Sequence, residues 1–296
     1  MLRSLLRLSR RVHGEQPMRR WKFVVRSVLY GASHRSWLDY LRRQAWLHRM
    51  VLLRPELTER LHRPYQCAQF NRWARLEALQ AHYDVCAAIG WQTLCLRLAR
   101  EPLVLARLDA ARQPELRIEL GYDPRFGKEG EWVLNLCGVT RRCYTMVLGF
   151  RRHAGAHSLH IGCLQGPDGL ESREHVRELT RAMHGERPRE LLLEAARELA
   201  ACAGCCHLQL VGDRQHIYRH RRKRRRLAFS YDRFAAELGA LPDGAQGWLL
   251  PLRGTERDLD AVASRKRAAT ARRRALLESM RAQLRAACTV APRSAP

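Results

Sequence analysis

Three short segments of the sequence carry polar side chains whose types and spacing could do chemistry. In the first, residues 184–189, His184 is followed by Gly185, Arg187 and Arg189, directly before a helical pattern. A helix N-terminus favours an anion through its free backbone N–H groups and its positive dipole end. We therefore predict an anion or substrate site at Gly185, Arg187 and Arg189. His184 is a candidate catalytic base because an imidazole titrates near neutral pH; an ordinary turn between two helices is the alternative.

The second segment, residues 213–216, follows a strand pattern that looks buried. Functional groups of α/β sheets often lie at the C-terminal ends of strands, so Asp213 and His216 are candidate catalytic residues and Arg214 is a candidate anion ligand. Neighbouring residues of an extended chain point to opposite faces, so Asp213 and His216 can meet only across a turn. A purely structural pair of Asp213 and Arg214 is the alternative.

The third segment is the end of another predicted strand, at Gln165 and Gly166. A sharp turn there would expose backbone N–H groups and the Gln165 amide, which makes both residues candidate substrate ligands. Cys163 lies inside the strand, and we predict that it packs in the core. A nucleophilic cysteine would need exposure and an activating base, and the sequence offers neither.

One further segment is dominated by positive charge, since seven of the eight residues 219–226 are Lys or Arg. Such runs are usually solvated loops, but they also attract the phosphates of nucleic acids and the headgroups of anionic lipids. All three interpretations stay open. The candidate polyanion ligands are Arg219, Arg221, Arg222, Lys223, Arg224, Arg225 and Arg226.

The whole chain is strongly basic. Its 296 residues carry 54 Lys or Arg against 29 Asp or Glu, a formal net charge of +25, and 46% of them are hydrophobic. That apolar content can bury a sizeable core and excludes a disordered chain. The positive field attracts polyanions, so we expect an anionic lipid or another polyanion as the partner, with nucleic acid as a candidate.

Cysteine use and apolar runs indicate the compartment. The ten cysteines fall mostly at apolar positions, where a free thiol packs as a small hydrophobe, which fits a reducing cytoplasm. The Cys-x-x-Cys within residues 202–207 lacks a second ligand pair, so we predict no metal site. Arginines interrupt residues 1–20, and we expect no signal peptide and no transmembrane segment. That basic N-terminal segment could lie on an anionic membrane, so we expect a cytoplasmic protein with peripheral contact to the inner membrane.

The period of the hydrophobic pattern predicts the elements that hold these residues. Helical spacing runs through residues 21–112, with Ser33 as a predicted N-cap. From Gln113 the period changes to two. This change predicts strands over residues 116–122, 131–137, 143–150, 158–164 and 207–211, with helices over 172–183 and 189–203 between the last two.

The pattern then predicts extended segments over residues 227–231 and 248–252, on either side of a helix over 232–238. Residues 113–255 therefore form an α/β core, and residues 256–296 form a basic C-terminal helix and tail. We predict an α/β fold with a mixed, mostly antiparallel sheet, helical crossovers, a helical N-terminal layer and a long C-terminal helix.

Six stretches together resemble the VirK/YbjX family of proteobacteria, and the match runs over residues 21–280. The stretches are FVVRS at 23–27, SHRSWL at 33–38, KEGEW at 128–132, IGCLQGP at 161–167, HGERPR at 184–189 and GDRQHIY at 212–218. The resemblance implies a bacterial protein of stress response, virulence or envelope adaptation, including tolerance of antimicrobial peptides. It implies no established reaction.

The predicted order of strands and helices is also similar to that of the GNAT acyltransferases. Their phosphate-binding turn reads Gln/Arg-x-x-Gly-x-Gly/Ala directly after a strand, whereas residues 181–187 follow a helix and lack the second glycine. This similarity implies an acyltransferase that acts on an anionic lipid or acyl substrate, with acyl-CoA or an acyl carrier as cofactor. The alternative is a non-catalytic protein that binds nucleic acid or an anionic membrane through its basic tract.

Overall fold

The computed structural model describes most of the chain. Within the described residues the chain forms an eight-stranded sheet with helices packed against it, so the predicted α/β class is confirmed. The described ranges are 2–110, 115–139, 141–153, 155–167, 172–219, 229–244, 247–254 and 264–289.

Helices build the N-terminal layer and connect the later strands. A 3₁₀ helix, Pro55–His62, lies between α3 and α4. The predicted N-terminal layer and long C-terminal helix are both confirmed. The α-helices are α1 (Leu2–His13), α2 (Pro17–Arg43), α3 (Ala45–Leu53), α4 (Arg72–Ala88), α5 (Gln92–Leu98), α6 (Ser172–Ala182), α7 (Pro188–Cys202), α8 (Tyr231–Glu237) and α9 (Ser264–Thr289).

The sheet is mixed and mostly antiparallel. In spatial order its strands are β1 (Leu103–Arg107), β2 (Arg117–Gly121), β3 (Trp132–Cys137), β4 (Arg142–His153), β5 (Ala156–Gln165), β6 (His207–Leu210), β8 (Trp248–Leu250) and β7 (Leu241–Pro242). The first five form an antiparallel meander, and β5 pairs in parallel with β6. A parallel pair needs a crossover, which α6 and α7 supply.

The core joins the helical layer to the sheet. Helix α4 packs on β4, and α7 packs across β3 to β6 and contacts α9. Trp37 of α2 and Trp132 of β3 are both buried in the same apolar cluster. Because large aromatic side chains bury the most apolar area per residue, this shared cluster binds the two layers into one core.

Three local predictions are wrong. The region predicted to be helical contains the strand β1. A short apolar run fits a strand as well as a helix, and here pairing with β2 makes it a strand. Ser33 is not an N-cap, since it lies two residues beyond the break of α2 at Gly31, inside the second part of the helix, and its hydroxyl donates to the Tyr30 carbonyl at 2.8 Å. The extended segment over 227–231 ends too late, because Ser230 caps α8, which begins at Tyr231; residues 220–228 lie outside the described chain.

Helix α1 packs against α2 by its apolar side. Leu5 is buried in a small cluster with Phe23 and Val24 of α2. Binding of the N-terminal segment to a membrane would need this apolar side to face outward. In the structure it packs on α2 instead. Among the described helices, none combines the length and apolar character needed to cross a membrane.

Gly162 of β5 gives the sharpest test of the packing around the sheet. A Cβ atom at this position would overlap the backbone carbonyl of Glu129, which has no flexible side chain to move away. Gly162→Ala should therefore lower the free energy of unfolding by about 2–3 kcal/mol. Urea denaturation measures this loss. Gly138→Ala is the matched control, because its added carbon would lie 3.6 Å from the Cys143 sulfur, and an equal loss in both variants would contradict the close approach.

Candidate functional site

The structure gives the His184 segment a structural role. His184 and Gly185 have positive φ angles of 55° and 90° and end helix α6. The Gly185 N–H donates to the Thr180 carbonyl at 2.8 Å, which closes the last turn in the manner of a helix C-cap. Pro188 is the first residue of α7, one position before the predicted start.

The two arginines of this segment face acids of the chain itself. Arg187 lies 3.6 Å from Glu190. Arg189 lies 2.8 Å from Glu237, and its guanidinium carbon is 4.9 Å from the centre of the Phe234 ring. Their charge is therefore already compensated, which weakens the prediction of an anion site at the start of α7.

Asp213 holds the start of α8 in place. Its carboxylate accepts the Tyr231 N–H at 2.7 Å and the Ser230 hydroxyl at 2.8 Å. Arg214 is exposed. His216 is buried and stacks on the Tyr231 ring with centroids 5.0 Å apart, and burial lowers its pKa to about 4 although the Asp213 charge raises it. His216 is therefore neutral at pH 7.

Gln165 and Gly166 lie beside Tyr144 of β4. An added Cβ at Gly166 would be 2.9 Å from the Tyr144 ring, and a small cleft of about 110 Å³ opens between this turn and the start of β4. Burial raises the pKa of Tyr144, and the charge of Arg189 opposes that rise. The structure thus brings Gln165 and Gly166 together at one small cleft.

The basic tract is described only at its first residue. Arg219 is exposed, whereas Arg221, Arg222, Lys223, Arg224, Arg225 and Arg226 lie outside the described residues. Cys205 is buried and Cys206 is exposed. Among the described residues, no group of three or more His, Cys, Asp and Glu side chains could hold a metal ion.

A buried ionic network, which the sequence analysis missed, lies between the 3₁₀ helix and β3. Glu131 and Arg60 are both buried, and the Arg60 guanidinium lies 3.3 Å from the Glu131 carboxylate. The same carboxylate oxygen accepts the Tyr83 hydroxyl at 2.9 Å. Burying these charges is costly, so each needs the other and the added hydrogen bond. The Arg60–Glu131 pair is a structural element.

Arg151 on β4 is a second buried arginine, and within the described part of the chain no acid forms an ion pair with it. Its Nε donates to the Gln66 side-chain oxygen at 2.7 Å, and its guanidinium carbon lies 5.2 Å from the Phe70 ring centre. Both terminal nitrogens are buried and have no hydrogen-bond partner within the described part of the chain. Burial lowers the pKa of Arg151 to about 10, so it stays charged at pH 7. A buried charge without a partner is expensive, so it marks a place where an anion would be stabilised.

Arg151 lines a cavity of about 510 Å³, which we call the Arg151 cavity. Its walls come from β4, from α4 and from the segment before α4. Apolar atoms of Phe70, Ala74, Ala78 and Ala81 face the space, together with Cys67 and Arg152. Six of the eleven lining residues are polar or charged, namely Gln69, Glu77, Gln80, Asp84, Arg151 and Arg152. The size of the cavity is typical of small-molecule sites.

Gln66 connects the Arg151 cavity to a third set of buried groups. Its backbone N–H donates to the Lys128 carbonyl at 2.7 Å, next to the buried carboxyl of Glu129. Burial raises the pKa of Glu129 to about 7. His160 is fully buried, and its pKa is well below the usual value because of burial and then because of the Arg151 charge, with His216 contributing. One predicted residue, His216, thus belongs to this interior.

Three of the six stretches that carried the sequence resemblance meet at this interior. KEGEW supplies Glu129 and Glu131, IGCLQGP places Gly162 against the Glu129 carbonyl, and GDRQHIY supplies His216. The one sequence signal that could have found the site is a charged residue inside or beside a strongly apolar strand pattern. Glu131 and Arg151 both fit that description.

Comparisons with known proteins agree with this grouping. The family model described as "Protein of unknown function (DUF535)" matches residues 13–286. "Uncharacterized protein YbjX" of Escherichia coli (strain K12) is 28% identical over 272 residues, covering 90% of this chain and 82% of that protein. Two proteins of Haemophilus influenzae, both named "Uncharacterized protein", are 26% identical (88% of this chain, 86% of the relative) and 27% identical (72% and 70%). No solved structure matches the chain.

The two buried arginines should respond in opposite ways to loss of charge. Arg60→Met leaves Glu131 buried without its partner and should lower the free energy of unfolding by about 3–5 kcal/mol. Arg151→Met removes a charge that has no ion pair with a carboxylate among the described residues, so it should leave the free energy of unfolding unchanged or raise it by about 1 kcal/mol. Urea denaturation of both variants measures the contrast. Equal destabilisation would mean that Arg151 is compensated within the protein.

Glu129 should make stability fall as the pH rises toward neutrality. Its folded-state pKa of about 7 lies above the ordinary 4.5, so the folded protein holds the proton more tightly than the unfolded chain. The stability from this group is therefore complete below about pH 4.5 and is lost as the pH rises through 7. Between pH 5 and pH 8 the wild type should lose about 2 kcal/mol relative to Glu129→Gln, measured by urea denaturation. The exposed Glu115→Gln variant is the control and should follow the wild type.

Proposed function

The chain belongs to the DUF535 family, as its resemblance to the VirK/YbjX proteins predicts, and we propose that it binds an organic anion in the Arg151 cavity. One observation carries the proposal: Arg151 lines the cavity, and its two terminal nitrogens are buried and lack a hydrogen-bond partner within the described residues. A buried charge of this kind lowers the free energy of unfolding, and a bound anion would offset that loss. A planar guanidinium suits a carboxylate or a phosphate because it can donate two parallel hydrogen bonds.

The walls of the cavity indicate what the anion carries. Three alanines of α4 and the Phe70 ring present apolar surface, which favours a ligand with a short apolar part joined to the anionic group. Glu77 and Asp84 also line the cavity. These acids oppose a ligand with many negative charges. A fatty carboxylate or a lipid-like phosphate therefore fits better than the backbone of a nucleic acid.

The position of the acids refines this picture. Asp84 accepts the Tyr40 hydroxyl at 2.8 Å and lies 3.7 Å from Arg152, which is more exposed than Arg151. The exposed Arg152 therefore forms an ion pair with Asp84, whereas the buried Arg151 has no such partner among the described residues. We assign the anionic group of the ligand to Arg151 and give Arg152 a minor role.

We place this binding in the adaptation of the bacterial envelope, as the family resemblance implies. An acyl transfer from acyl-CoA or an acyl carrier to a bound anionic lipid is our hypothesis for a reaction. His184 and the α7 N-terminus are weak support for it, since that turn ends α6 and its arginines face acids. The binding step alone is supported by the geometry of Arg151.

Thermal unfolding with small amphiphiles tests the proposal. Hexanoate and hexyl phosphate should raise the melting temperature in proportion to their occupancy. Hexanol, which lacks the anion, and inorganic phosphate, which lacks the apolar part, should raise it less. Arg151→Met should weaken the binding of hexanoate or hexyl phosphate by about 30-fold or more, because a charge-assisted pair is lost. The two anions distinguish a carboxylate ligand from a phosphate ligand.

Two further variants make the result specific to the cavity. Arg152→Gln at the rim should weaken binding only a few-fold, about the value of an exposed ion pair. The exposed Arg100→Gln should leave it unchanged. If Arg151→Met keeps the full thermal shift with either anion, the proposed site is wrong.

A further inference from the structure

Helix α2 carries an apolar stripe that the protein does not cover. Met18, Trp21, Val28 and Leu29 are 66%, 63%, 54% and 67% exposed, and half-buried Val25 lies between them. We propose that this α2 stripe docks the protein on the surface of an anionic lipid bilayer. The inference goes beyond the proposed function and stands on different residues.

The spacing of the stripe follows the helix. Residues 18, 21, 25, 28 and 29 recur at three and four, so they lie along one side of α2. Phe23 and Val24 lie on the other side and are buried against α1. Gly31, with φ 45° and ψ −113°, breaks the helix just beyond Leu29 and ends the stripe. An exposed apolar side of this length is unusual for a protein surface and marks an interaction site.

The charges around the stripe favour an anionic surface. Residues 2–38 contain nine Lys or Arg and one acid, Glu15. Lys22 and Arg26 follow the apolar residues directly on α2. Basic residues beside Trp and aliphatic side chains are the pattern of helices that lie in a membrane interface, where apolar groups enter the acyl boundary and cations meet the headgroups.

A groove between α1 and α2 lies beside the stripe and has room for a headgroup. Its volume is about 640 Å³, and Val28 belongs to both the groove and the stripe. Arg7 and Arg11 of α1 and Arg35 of α2 line it, so a lipid phosphate would meet positive charge. The acid in its wall, Asp39, lies 3.5 Å from Arg42.

The start of α4 extends the same surface. Arg72 donates to the Leu29 carbonyl at 3.4 Å, which places the start of α4 next to the end of the stripe. Its neighbour Trp73 is 47% exposed, and the residue after it, Ala74, lines the Arg151 cavity. The start of α4 therefore lies beside the stripe and also contributes to the wall of the Arg151 cavity.

Other occupants fit this surface less well. A second copy of the chain carries the same net charge of +25, so pairing two such surfaces would bring like charges together. Single-stranded nucleic acid could stack on Trp21, but it has no use for the exposed Met18, Val28 and Leu29. A bilayer uses both the aliphatic residues and the cations.

Vesicle flotation with the full chain tests the inference. The protein should float with vesicles of phosphatidylcholine containing 30% phosphatidylglycerol, and little should float with phosphatidylcholine alone. Trp21→Ala with Leu29→Ser should reduce binding about tenfold, and Arg7→Ser with Arg11→Ser should reduce it several-fold. Trp21→Phe, which keeps an aromatic ring, should retain most of the binding.

Matched controls separate the surface from general charge and apolar content. Val139→Ser with Leu241→Ser removes equally exposed apolar side chains elsewhere, and Arg100→Ser with Arg272→Ser removes exposed charges elsewhere; both should float like the wild type. Full flotation of the Trp21→Ala/Leu29→Ser variant would overturn the inference. So would equal binding to neutral vesicles, or loss of oligonucleotide binding in that variant with flotation unchanged. Arg151→Met should float normally, so failure of the anion site and failure of the docking surface are distinguishable.

Discussion

The ion pair of Arg60 and Glu131 is the constraint on which the arrangement of the two layers depends. It joins residues 71 positions apart, one in the 3₁₀ helix and one just before β3. Both charged groups are buried, so moving the helical layer away from the sheet would leave each charge without its partner. Gly127 takes part in this constraint, because a Cβ atom there would overlap the Arg60 guanidinium. The pair therefore sets the distance between the layers.

Arg60 and Arg151 are both buried, and they differ in how their charges are stabilised. Arg60 has a carboxylate, while Arg151 has one amide oxygen and an aromatic ring. The fold thus contains one buried arginine with an ion-pair partner, which fixes geometry, and one that lines a cavity and has no such partner among the described residues. Proteins tolerate such local disagreement with packing rules at sites where function requires it. This contrast, rather than the number of arginines, identifies the cavity as a site.

Much of the fold could be predicted from the sequence, and little of the site could. Strands β2 to β5 alternate or run continuously apolar between turns, so their pattern is visible in the sequence. Strand β1 is not visible, because its four apolar residues before Arg107 show no distinctive period. Arg60 looks like any of the 54 Lys and Arg side chains in the sequence. Arg151 stands beside an apolar strand pattern, but its burial depends on contacts with distant residues. His184 seemed exposed to substrate, yet its left-handed backbone ends a helix. Only His216 connects the predicted residues to the buried interior.

Gln66 adds a mechanical property to this interior. It is a non-glycine residue with a φ of 53°, held by the Lys128 carbonyl on one side and by the Arg151 side chain on the other. Such a backbone conformation stores strain, and it persists only while both contacts hold it. The Gln66 amide nitrogen also lies 3.4 Å from the Tyr65 hydroxyl. If Arg151 moved, Gln66 would move with it and would shift the segment that carries Glu129. Gln66 thus couples the cavity wall to a carboxyl group that changes charge near neutral pH.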